Sequence, residues 1–286
     1  MAASTLPTIT LRDGTSIPRL GMGTWRMGDD PARRKDEVRS LQEGLDSGLR
    51  LIDTAEMYGS GRSESVVGEA IRGRRDDVYL VSKVLPSNAD YNSTIKACKR
   101  SLSYLQTDSL DLYLLHWRSS TPLEETIGAF ETLQKEGLIK RWGVSNFDTD
   151  DMNTLDRINP QAMVNQILYS LIYRGTEYDL QERDARHHVA SMAYCPLGQG
   201  GAFLKSATLV QIAQQHETSL GPATPAQIAL AWVLRRPNVI PIPKAATPHH
   251  QHYNRAATEI QLTEADLAAL DRAFPPPRHK EPLAVI

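Results

Sequence analysis

Short apolar runs alternate with amphipathic stretches along the whole chain. Eight runs rich in Val, Ile, Leu or Tyr stand out: Leu20–Gly23, Leu49–Thr54, Val78–Lys83, Leu110–His116, Trp142–Asn146, Met163–Ile167, Ser191–Cys195 and Asn238–Lys244. Unbroken runs, rather than strict alternation, fit parallel strands whose outer face is covered. Between them the period turns helical. Ile95, Cys98, Leu102 and Leu105 fall on one helix face, as do Val38, Leu41, Leu45 and Leu49. Thr121-Pro122-Leu123-Glu124 and Thr224-Pro225-Ala226-Gln227 read as capping boxes, and Gly137 reads as a helix stop.

Strand and helix repeating at about 30 residues is a βα unit. Eight units predict a (β/α)₈ TIM barrel, and 286 residues fits that size. The competing doubly wound sheet wants G-x-G-x-x-G after its first strand, and Gly21-Met-Gly-Thr-Trp-Arg lacks the third glycine. Ile9–Leu11 and Ile17–Leu20, joined through Asp13-Gly14, predict an N-terminal β-hairpin capping the barrel bottom. No linker or low-complexity stretch precedes the proline-rich tail from Pro275, so residues 1–286 read as a single barrel domain.

Composition narrows the function classes. A net charge of −2 offers no bulk attraction to nucleic acid or anionic lipid. Cys98 and Cys195 are the only cysteines, too few for a disulfide scaffold or a four-thiolate zinc site. The N-terminus lacks a leader pattern, and no apolar run approaches the ~20 residues of a membrane span. The expectation is a soluble cytoplasmic enzyme, a monomer or weak oligomer, acting on a small molecule. Charge runs at Arg33–Glu37 and Arg72–Asp77 read as solvated helix faces.

In a barrel of this kind chemistry sits at the C-terminal ends of the strands. Asp53, Lys83 and His116 end three successive runs, and Tyr58 follows the first of them. A buried lysine needs an anion, which Asp53 supplies. A cation beside a phenol lowers its pKa and readies it for proton transfer. Trp25, Met57 and Trp117 flank these residues and read, with Tyr58 and His116, as walls of a substrate pocket.

Asp53-Thr-Ala-Glu-Met-Tyr58, Lys83 and Leu115-His116-Trp117 resemble the catalytic tetrad of the aldo-keto reductase superfamily. Gly21-Met-Gly-Thr-Trp25, Gly143-Val-Ser-Asn-Phe147, Asn165-Gln166 with Tyr169, Ala193-Tyr194-Cys-Pro-Leu197 and Ile242-Pro243-Lys244 follow in the family's order. The resemblance implies NADPH bound in an extended conformation, with Tyr58 as general acid, Lys83 and Asp53 tuning it, and His116 orienting the carbonyl. It further implies that Gly23, Thr24, Trp25 and Asp53 border the cofactor. Ser145, Asn146 and Gln166 would hold its carboxamide, and Tyr194 would stack on the nicotinamide. Leu197, Gln199 and Gly200 would follow the pyrophosphate through backbone amides, with Pro196 beside them. Pro243, Lys244, Ala245, Thr247, His250 and Asn254 would surround the adenosine phosphate.

The last segment departs from the family's pattern: Ala245 stands for a serine and His250 for an arginine. Histidine cannot form the bidentate fork of a guanidinium. Lys244 is then the main hold on a 2′-phosphate, so NADH is also accepted, more weakly. His249 and His252 lie three apart without a nearby carboxylate or thiolate to complete a metal site, and none is expected.

The expected activity is reduction of aldehydes or activated ketones, small dicarbonyls and aromatic aldehydes included, in a pocket left open by a short tail after Ala273. Reduction of cyclic imines in the same pocket, or a cofactor-sensing binding protein with little turnover, are the alternatives.

Overall fold

The computed structural model of the chain describes residues 6–286, so the leader-free reading of the N-terminus falls partly outside the described residues. β1 (Thr8–Thr10) and β2 (Ser16–Pro18) form the antiparallel hairpin, turned at Gly14 with φ 83°. Then come the eight barrel strands: β3 (Gly21–Gly23), β4 (Leu51–Asp53), β5 (Tyr79–Val84), β6 (Leu112–Leu115), β7 (Trp142–Ser145), β8 (Val164–Leu168), β9 (Ala190–Tyr194) and β12 (Val239–Pro241). Each overlaps one of the eight apolar runs. β10 (Glu217–Thr218) and β11 (Gly221–Pro222) make a separate small hairpin.

The helices are α1 (Arg34–Asp46), α2 (Arg62–Ala70), α3 (Tyr91–Leu105), α4 (Leu123–Lys135), α5 (Thr149–Ile158), α6 (Leu180–Arg186), α7 (Ala207–Ala213), α8 (Pro225–Leu234), α9 (Pro248–Ala256) and α10 (Glu264–Ala273). All neighbouring barrel strands are parallel. The last seam, between β3 and β12, is closed by a bridge from Gly23 to Lys244 and by Gly23 N–H donating to Pro243 O at 3.1 Å.

Strand parity decides which side chains reach the interior. Leu51, Val81, Leu112, Leu114, Val164 and Met192 share one buried cluster with Leu11 and Ile17 of the hairpin, which plugs the N-terminal end. Their strand neighbours Ile52, Leu80, Tyr113 and Leu115 belong to the other cluster, between strands and helices. Counting on by twos carries the inward face to Asp53, Lys83, His116, Gln166 and Tyr194, all at the open end. Ser82, one residue off that count, faces the helices.

Three local readings are corrected. Thr121 does not cap α4: Pro122 takes the cap position at φ −54°, ψ 135° without a side-chain bond, and the helix starts one residue late. The Thr224 box forms as read, and Gly137 turns at φ 73° after α4. The run Arg33–Glu37 is not a solvated face throughout, because Glu37 is 1% exposed and accepts from Gly28 N–H at 2.8 Å. In the run Arg72–Asp77, Arg75 lies outside any α-helix and bonds Asp111 at 2.8 Å. The tail folds back on the barrel. Lys280 reaches Asp150 at 3.3 Å, and the Ile286 backbone N–H lies beside the Tyr194 hydroxyl.

The closing seam gives a stability prediction. A Cβ on Gly23 would lie 2.6 Å from Ile242 O, a backbone atom that cannot rotate away. Gly23→Ala is expected to cost about 1–3 kcal/mol by forcing strands apart. A lowered urea midpoint checks it; an unchanged midpoint would mean that this seam is not tight.

Candidate active site

At the open end Lys83, fully buried, donates from Nζ to Asp53 Oδ2 at 2.8 Å, Thr54 O at 2.7 Å and Tyr58 Oη at 3.2 Å. An ammonium has three donors, and all three are used here. Burial pushes the Lys83 ammonium down, while Asp53 opposes that. Asp53 is held from its other side, where Gln166 Nε2 donates to Oδ1 at 2.8 Å. Because Lys83 donates to the Tyr58 oxygen, the phenolic hydrogen is left to point elsewhere.

Tyr58 differs from expectation. Burial pushes its phenol well above the ordinary range, and the Asp53 carboxylate adds to that rise. The Lys83 charge is already shared with Asp53, so desolvation prevails over the cation. Tyr58 is therefore a neutral acid across the working range. Burial and then Lys83 push the His116 imidazole down to about 3, so it too is neutral. His116 Nδ1 is buried with no hydrogen-bond partner among the described residues.

Around these groups stand three large side chains, none of them core: Trp25 is 41% exposed, Met57 39% and Trp117 38%. Trp25 meets the Tyr58 ring edge-on at 4.9 Å, and Trp117 lies 4.9 Å from the His116 ring.

The residues assigned to the cofactor divide into two groups. Ser145, Asn146, Gln166 and Tyr194 converge on the mouth. Asn146, at φ 58°, donates to His116 O at 3.1 Å and accepts from Tyr194 Oη at 2.9 Å. Ser145 Oγ donates to Gln166 O at 2.9 Å. Lys244 and His250 are exposed nearby, and Thr247 caps α9.

Others serve the scaffold. Thr24 is buried, donating to Asp53 O at 2.9 Å, and Gly23 and Pro243 form the seam. Ala245 O accepts from Ser40 and Gln251, and Asn254 is buried in α9. In the loop after Pro196 and Leu197, Gly198, Gln199 and Gly200 all have positive φ. The amides of Gly198, Gly200 and Gly201 are bonded within the loop, which leaves those of Leu197 and Gln199 for a phosphate.

A family model, "Aldo/keto reductase family", matches residues 19–274. This chain belongs to the aldo/keto reductase family. It is 48% identical to methylglyoxal reductase YeaE of Escherichia coli (strain K12), over 95% of this chain and 96% of that one. It is 31% identical to glyoxal reductase of Bacillus subtilis (strain 168), over 95% and 94%. An aldo-keto reductase of Klebsiella pneumoniae, crystallised with NADPH, superposes with a TM-score of 0.94 at 46% identity, covering 99% of this chain and 100% of that one.

Behind the reductase tetrad lies a group that the sequence reading missed. Glu64 of α2 is fully buried and accepts from Ser82 Oγ at 2.6 Å, on the helix side of the strand that carries Lys83. Burial pushes its carboxyl up to about 7, and Oε2 has no partner among the described residues. A charged residue in register with Val67 and Gly68 on one helix face was the available signal.

A raised carboxyl pKa means that the folded state holds its proton up to about pH 7, whereas the unfolded chain releases it near 4.5. Stability is then fully present below about 4.5 and is lost as pH rises through 7. The loss by pH 8 is about 3 kcal/mol in wild type, and Glu64→Gln should abolish it. Urea unfolding of both proteins at pH 5 and pH 8 checks the difference; parallel losses would contradict it.

Proposed function

We infer that this reductase transfers hydride from NADPH to small aldehydes and activated ketones, with dicarbonyls such as methylglyoxal first among them. The observation that carries the reading is the three-donor arrangement of Lys83 on Asp53, Thr54 and Tyr58, which leaves one acidic hydrogen at the mouth. The names of the relatives, methylglyoxal reductase and glyoxal reductase, favour the substrate class. Among the described residues no group of three His, Cys, Asp or Glu is placed to hold a metal.

The donor set suits NADPH: amide and hydroxyl groups near the tetrad match a carboxamide, and the cations at the β3–β12 seam match phosphate chemistry. Ser145, Asn146 and Gln166 would hold the carboxamide, with Tyr194 against the ring, and Lys244 would meet the adenosine phosphate. When bound, NADPH supplies the hydride. Tyr58 gives its proton to the carbonyl oxygen, and Lys83 stabilises the phenolate that remains. Asp53 keeps Lys83 charged. Neutral His116 orients the carbonyl oxygen by hydrogen bonding, and Trp25, Met57 and Trp117 exclude water from one side of the substrate.

No helix among the described residues is long and apolar enough to cross a membrane. We also propose that the enzyme works on small carbonyls in the cytoplasm, as a monomer or weak oligomer, and its near-neutral charge favours such substrates over nucleic acid. Residues 1–286 act as one barrel unit in this reading.

Tyr58→Phe tests the assignment. It keeps the ring but removes the proton donor, so NADPH-dependent reduction of methylglyoxal should fall about 10²–10⁴-fold while NADPH still binds. Turnover above roughly a tenth of wild type would exclude Tyr58 as the acid.

A further inference from the structure

The start of α1 stands beside the segment that meets the adenosine phosphate. α1 and α9 pack side by side: Ser40 Oγ donates to Ala245 O at 3.0 Å, and Arg255 Nε donates to Ser47 O at 2.8 Å. Ser40 is therefore level with Ala245. The six residues of α1 before it add ~9 Å of helix and carry its N-terminus past Ala245 toward the mouth. Arg33 sits on this overhang, and Lys244 sits just before Ala245 on the neighbouring strand end. Arg26 leaves β3 from the other side of the same seam, turned by its φ of 64°.

These cations have no anion of their own. Among the described residues the side chains of Arg26, Arg33 and Lys244 make no hydrogen bond or ion pair. Partial burial of its otherwise exposed side chain and then the field of Arg33 push the Lys244 ammonium down, with Arg26 adding to the effect. The two carboxylates that oppose this, Glu37 and Asp29, are engaged elsewhere. Glu37 accepts from Gly28 N–H at 2.8 Å, and Asp29 pairs with Arg62 at 3.0 Å. Unshared like charges gathered at one seam destabilise the empty protein, and a dianion between them would relieve that cost.

We propose that Arg33 and Lys244 grip the 2′-phosphate of NADPH from two sides, with Arg26 strengthening the field. The guanidinium that the family places at His250 is thereby supplied from the opposite side of the seam. An arginine fork binds a phosphate monoester through two parallel N–H donors, which a histidine cannot do. The preference for NADPH over NADH then exceeds what Lys244 alone gives. Two charge-assisted contacts, each contributing about ten- to a hundredfold, set it at about 10²–10⁴. The proposal rests on the NADPH reading above.

Fluorescence titrations with NADPH, NADH and 2′,5′-ADP, on wild type, Arg33→Ala and Arg33→Lys, decide it. Arg33 is exposed, so the variants keep the fold. Arg33→Ala should weaken NADPH and 2′,5′-ADP about ten- to a hundredfold and leave NADH within about twofold, with Arg33→Lys recovering part of the loss. An unchanged NADPH-to-NADH ratio in Arg33→Ala overturns the proposal, whether neither affinity moves or both fall together as for a pyrophosphate contact. Wild type that binds neither cofactor would overturn the cofactor reading itself.

Discussion

The Lys83 ammonium, with no solvent exposure, donates to a carboxylate, a backbone carbonyl and a phenol at once. Each partner comes from the connection on and after β4, so the cation ties that loop to β5. Removing one member of a buried ion pair typically costs 3–5 kcal/mol, because the other charge is stranded. The same bond that orders the loop also fixes which way the Tyr58 hydrogen points. Structure at this mouth and, in the proposed mechanism, proton delivery rest on one group.

The field around that group is balanced rather than strongly positive. Asp53 neutralises Lys83 on one side and is itself clamped by Gln166. Tyr58 therefore keeps its proton until negative charge develops on a substrate oxygen, which suits reduction. Glu64, across the strand from Lys83, adds a second carboxyl whose proton is held to about pH 7. The inward and outward faces of β5 are thus electrically linked through a single strand.

Most of the barrel and its tetrad was legible because strand parity is a property of the sequence. Asp53, Lys83 and His116 each continue the inward count of an apolar run, so reaching the strand ends also meant reaching the mouth. What was not legible depended on tertiary partners. Thr121 has the chemistry of a cap, but Pro122 holds the extended geometry that takes the cap position from it. Glu37 lies in a charge run that looks solvated, and only the packing of Gly28 against α1 buries it. Glycines 198 and 200 mark a phosphate loop by composition, yet their amides are bonded within the loop. The tail from Pro275 returns to Tyr194 through contacts far apart in sequence. Proximity of Arg33 to Lys244 follows from the packing of α1 on α9, which no local pattern encodes.

The central claim is that Lys83 holds Tyr58 ready to give up its proton. The direct measurement is the pH–rate profile of NADPH-dependent methylglyoxal reduction by Lys83→Met, on protein shown by circular dichroism to be folded. Without the cation the phenolate that forms as the proton leaves loses its stabiliser, so the rate should fall about 10²–10⁴-fold at every pH across the working range. A profile of wild-type height would contradict the account.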